Sequence, residues 1–109
     1  MKVEHYTDTP SEPADSVPGV AVRWVIGEKD GAPNFAMRVF DVEPGSSSPY
    51  HQHEWEHEVF VLAGEGAVRR EDGESPIGHG SVVFVPGMEM HQFINRGSSV
   101  LRFICVVPI

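Results

Sequence analysis

One cysteine, Cys105, occurs in 109 residues, so no disulfide can form within the chain, as expected for a reducing compartment. Positive charge is scarce too: 8 Lys and Arg stand against 16 Asp and Glu, for a formal charge of −8. A surface of that sign disfavours nucleic acid and anionic membranes as partners. No apolar run approaches the roughly 20 residues that a membrane-spanning helix needs. The opening residues, MKVEHYTDTP, lack the basic and then apolar order of a secretory leader, which points to the cytoplasm. Helical periodicity is also missing, because no window of about ten residues repeats apolar side chains at spacings of three and four.

What the chain does contain is a succession of short strand-like runs cut by Gly, Pro and Asp. Its length fits one domain with a single core. Residues 1–19 are polar, carry Pro10, Pro13 and Pro18, and read as an N-terminal arm ahead of a β domain over 20–109. Within that domain Val20–Ile26, Asn34–Val42, His57–Leu62 and Glu65–Arg70 read as strands, and Asp72-Gly73 marks a hairpin turn into Ser75–Ile77. Ser81–Val85, Met90–Ile94 and Ser99–Val107 complete the set. Such spacing implies an all-β sandwich or barrel. In the last run the single charge, Arg102, should face water and so turn Leu101, Phe103 and Cys105 inward.

Four histidines concentrate the chemistry. His51, His53 and His57 fall within seven residues and His91 follows later, all on segments read as extended. Residues two apart share a strand face, so His51 and His53 point the same way. Neutral imidazole is the commonest protein ligand for divalent transition ions. His5 and His79 have no such company and read as ordinary side chains. For the third ligand the residues offer His57 or Glu58, and alternation favours His57. It turns His57, Val59 and Val61 inward, leaves Glu58 in solvent, and puts Phe60 and Leu62 on a face that another layer or a partner must cover.

These segments resemble the two motifs of the cupin family. Gly45 is followed by five residues and then His51-Gln52-His53, and six residues separate His57 from Gly64. Gly80, Pro86, His91 and Asn95 match the second motif in identity and gap; Met88 occupies the place of its second glycine, with Gly87 one position early. The set looks like that of small bacterial cupins with four histidine ligands, some of which carry manganese. The resemblance implies a double-stranded β-helix, or jelly roll, with His51, His53, His57 and His91 around a divalent metal inside the barrel. Mn(II) is favoured, with Fe(II), Zn(II), Ni(II) or Cu(II) also compatible. It further implies a homodimer, in which the arm at 1–19 reaches a neighbouring subunit.

Four neutral imidazoles leave a divalent ion its full charge, which attracts anionic or enolate-like oxygen ligands, and a six-coordinate ion keeps two positions for them. The resemblance to oxygen-using cupins implies a dioxygenase-like oxidoreductase acting on a small organic molecule. The alternatives are a lyase or isomerase that stabilises an enolate, and a non-catalytic binding protein. A closed structural zinc site is a further alternative, disfavoured because such sites usually use cysteine. No catalytic residue is assigned from the sequence, but pocket candidates are Phe103, Val59 and Val61 as apolar walls, together with Cys105 and Arg38. Cys105 would lie near the ion or serve as a small buried hydrophobe. Arg38 would hold an anion if it faced inward, although a solvated or salt-bridged arginine is the favoured reading.

Overall fold

Alternation of apolar and polar side chains, with turn residues between the runs, builds the chain into strands. A computed structural model describes residues 1–14 and 17–109. Its strands are β1 (Glu12–Pro13), β2 (Val20–Ile26), β3 (Phe35–Val42), β4 (His57–Ala63), β5 (Glu65–Arg70), β6 (Gly73–Gly78), β7 (Val82–Val85), β8 (Gln92–Asn95) and β9 (Leu101–Pro108). The only helical pieces among the described residues are single 3-10 turns at Tyr6–Asp8 and Glu28–Asp30. None of these is long and apolar enough to cross a membrane.

The strands form two antiparallel sheets, one in the order β1-β2-β3-β9-β4-β7 and one in the order β6-β5-β8. Their inner faces meet in one core, in which Leu101, Val42 and Val61 are fully buried. Phe103 of β9 stacks on Phe93 of β8, with ring centroids 4.8 Å apart, and so joins the two sheets; Phe40 of β3 lies on its other side at 5.3 Å. Each such buried side chain stabilises the fold by roughly 1.5–3 kcal/mol. The chain crosses from one sheet to the other at Gly64, between β4 and β5. There φ is +88°, and a Cβ would stand 2.4 Å from the Val100 carbonyl oxygen, so only glycine fits.

Two local readings change. The segment from Gly45 to His53 is not a regular strand but touches its neighbours through isolated bridges, Ser47 with Ile94 and His51 with His91. Pro44 and Pro49 have no N–H to give a ladder, which interrupts the pairing. Arg102 is only partly exposed, because it makes two bonds to Asp41 on the paired strand, at 2.7 and 3.1 Å. The inward set Leu101, Phe103 and Cys105 is buried as alternation requires.

The outer face of the larger sheet carries apolar side chains around Glu58 and the Asp41–Arg102 ion pair. Phe60, Val82 and Phe84 are exposed there, while Met37, Val39, Leu62 and Ile104 lie beneath residues 2–6 and line a cavity of about 370 Å³ with them. The arm is tied to its own barrel by the β1–β2 pair and by Lys2, whose ammonium donates to the Val25 carbonyl at 2.8 Å and to Asp30 at 2.7 Å.

Candidate metal centre

Three pieces of backbone bring the imidazoles together. β4 begins at His57, which shares its inward face with Val59 and Val61 while Glu58 is exposed. His51 and His91 are set opposite each other by reciprocal backbone hydrogen bonds of 3.1 and 2.9 Å. The loop carrying His53 is held by the turn after β7, where the Met88 N–H donates to the His53 carbonyl at 2.6 Å. Gly87 makes that approach possible, since a Cβ there would stand 2.3 Å from the Glu54 carbonyl oxygen. Met88 takes the left-handed conformation, φ +67°, at the place where the cupin motif has glycine, and no other non-glycine residue described does so. The motif residue Asn95 is buried and fully bonded: its amide donates to the Val42 and Ser99 carbonyls, and its oxygen accepts from the Gly97 N–H, each at 2.8 Å. Its part is to tie β8 to the chain on either side.

His51, His53 and His91 each offer a ring nitrogen, all within 4.8 Å of one another, and this cluster is able to hold a divalent metal. His57 stands beside them, its Nε2 2.7 Å from His53 Nε2 and its ring 5.2 Å from that of His91. With metal–nitrogen bonds of about 2.0–2.1 Å, neighbouring donors on one ion sit about 3 Å apart and opposite ones about 4 Å. His51, His53 and His91 are therefore within reach of one ion, whereas His57 lies outside that cluster and meets it at His53. Orientation supports it as well: Nδ1 of His53 donates to the Trp55 carbonyl at 3.0 Å and Nδ1 of His91 to the Glu89 carbonyl at 2.8 Å, which leaves each Nε2 with its lone pair. Trp55 also stacks flat on His53, 4.4 Å between centroids and 3° between planes.

Burial pushes the His57 imidazole down to about 3, assisted by the neighbouring charges of His53, Arg38, His91 and His51. His91 is lowered by burial too, against the opposing pull of the Glu89 carbonyl. Both rings are thereby kept neutral and able to bind a metal at ordinary pH. Burial raises the Cys105 thiol, and the adjacent Arg38 works against that rise.

A cavity of about 110 Å³ opens onto the cluster. Of the residues named from sequence, His51, His53, His57, His91, Arg38, Phe103 and Cys105 line it. Val59 and Val61 do not; they are buried in the core below. Arg38, read as solvated or salt-bridged, instead lies inside. Its guanidinium sits over the Trp24 and Phe40 rings and reaches Cys105 Sγ at 3.0 Å, with Nε buried and unpartnered. Among the described residues no carboxylate lines the cavity to pair with it. His5 caps the first 3-10 turn and His79 is exposed, both away from the cluster. Sequence reasoning missed Phe40, Trp55 and Phe93 as walls, although each stands two residues beyond a named site residue and so shares its face.

Comparison with known proteins places this geometry. The polyketide cyclase RemF from Streptomyces resistomycificus is 35% identical, with a TM-score of 0.93 over 99% of this chain and 79% of that one. A structure from Thermotoga maritima described as a predicted oxalate decarboxylase is 26% identical, with a TM-score of 0.85 over 99% of both chains. An oxalate-binding protein of Thermotoga maritima is 38% identical over 65 residues, 59% of this chain and 54% of that protein, so the match spans about half the length of this curated relative. The Cupin_2 family model, "Cupin domain", matches residues 38–107. With two facing antiparallel sheets, a jelly-roll topology and a histidine cluster between them, the chain belongs to the Cupin_2 family of cupin barrels.

Proposed function

We propose that the protein is a metal-dependent enzyme acting on an enolisable, flat carbonyl compound, with a divalent ion held by His51, His53, His57 and His91. The carrying observation is the cavity wall, in which Phe40, Phe93, Phe103 and Trp55 surround the imidazoles and Arg38 with no carboxylate among the described residues. Aromatic walls take up a planar apolar skeleton. Arg38 adds positive charge beside the imidazoles and draws the anionic oxygen of that skeleton toward them. When bound, a divalent ion supplies a Lewis acid that polarises a carbonyl oxygen and stabilises enolate charge. The similarity to a polyketide cyclase along nearly the whole chain supports this reading over the dioxygenase-like one.

The test incubates metal-loaded protein with an enolisable aromatic poly-β-ketone. The expected product has lost one water by ring closure, with no dioxygen consumed. Dioxygen uptake selects the oxidoreductase reading, which four nitrogen donors on a six-coordinate ion also support by leaving two open positions. Binding without turnover selects a non-catalytic role. Manganese is the ion favoured by resemblance, and elemental analysis of protein purified without added metal distinguishes it from iron, zinc, nickel and copper.

The apolar side chains Phe60, Val82 and Phe84 exposed on the outer face support a homodimer. Light scattering at micromolar concentration tests it, and a monomer there refutes it. The reduced, buried Cys105 suits the cytoplasm.

A further inference from the structure

His57 differs from its neighbours in what stands behind the ring. Nδ1 of His53 and Nδ1 of His91 face backbone carbonyls. Nδ1 of His57 faces two side chains instead, Cys105 Sγ at 3.1 Å and an Arg38 guanidinium nitrogen at 3.3 Å, and that same nitrogen is 3.0 Å from Sγ. A guanidinium only donates. With Nδ1 bare, the ring accepts from Arg38 and its proton sits on Nε2, where His53 Nε2 at 2.7 Å accepts it, so that nitrogen cannot ligate. With the proton on Nδ1, the acceptor it meets is Cys105 Sγ, and Nε2 turns its lone pair inward. Two neighbours thus favour opposite tautomers.

We propose that Cys105 is a positioning residue that selects the ligating tautomer of His57, its Sγ accepting the Nδ1–H and drawing the Arg38 nitrogen away from Nδ1. The inference rests on His57 being a ligand, as proposed above. The sheet fixes Cys105 in that place. It is buried, it pairs with Val59 on β4 and with Arg38 on β3, and β9 runs between those two strands. Its neighbours along the inward face, Phe103 and Val107, have no acceptor. A small apolar residue would fill the space equally well but would leave Nδ1 to Arg38.

The experiment measures Co(II) affinity by chelator competition, together with the Co(II) absorption spectrum, which reports the nitrogen donors around the ion. Cys105→Ala is expected to weaken Co(II) binding by about 10–100-fold and to shift the spectrum toward that of His57→Ala. Cys105→Ser, which keeps an acceptor, restores most of the affinity. In the double variant with His57→Ala, removing Cys105 has no further effect, because it acts through that ring. Cys105→Val, which fills the space without an acceptor, repeats the test if the Ala variant does not fold. Wild-type affinity and spectrum in Cys105→Ala overturn the proposal, as does a Ser variant that behaves like Ala. If His57→Ala itself leaves affinity and spectrum unchanged, the four-imidazole reading falls and the proposal with it. An impaired His57→Ala beside an unaffected Cys105→Ala refutes only the role of Cys105.

Discussion

Acid should weaken the metal-free barrel through His57 in a measurable way. In the unfolded chain the imidazole takes a proton near pH 6.5, whereas in the barrel burial holds it neutral down to about 3. Between those values the unfolded state binds a proton that the folded state refuses, so stability falls as pH falls and levels off only below about 3. The side chain is 6% exposed, so solvent screens this cost little. From pH 8 to pH 5 the loss comes to about 2 kcal/mol for this one ring. His91, also lowered, adds to it in the same direction. Urea unfolding of chelator-treated protein at the two pH values reads the loss, and His57→Gln, which does not titrate, supplies the reference. The wild-type protein should lose about 2 kcal/mol more than that variant. An equal loss in both would show that His57 is as readily protonated in the barrel as outside it, and would refute the reasoning.

Replacing His57 by Ala should strip or cripple metal binding, while Glu58→Ala, at an exposed position, should leave the stoichiometry intact by elemental analysis; the reverse result transfers the ligand role to Glu58. Gly87→Ala places a Cβ 2.3 Å from the Glu54 carbonyl, so the loop bearing His53 must move; we expect a stability loss of about 1–3 kcal/mol and weaker metal binding by chelator competition. Met88→Gly relieves a left-handed backbone worth about 1–2 kcal/mol, partly offset by the greater freedom of glycine in the unfolded chain, so urea unfolding should show a gain of about 0.5–1 kcal/mol. Chelation should abolish activity without changing the circular dichroism spectrum, because the core of Leu101, Val42 and Val61 does not depend on the metal. An unfolded apoprotein would point to a structural zinc site.

Most strands could be located from sequence because their signals are local. Val20–Ile26 and Glu65–Arg70 match the observed bounds, and alternation correctly turned His57, Val59 and Val61 inward. The segment around His51 was harder, since serine and proline there give no clear period and the chain is held by isolated bridges. Arg38 was harder still. One charge in a strand normally marks the solvent side, but its pairing opposite Cys105 and its seat over Trp24 and Phe40 arise from strands distant in sequence.

By itself the sequence determined the candidate ligand types, their gaps and the inward face of His57, because a strand repeats every two residues and histidine offers nitrogen wherever it sits. Only the tertiary structure decided which side chains stand behind His57 and which aromatic rings wall the cavity. Those contacts join β3, β4, β8 and β9, and the order in which strands pair is not written in any one of them.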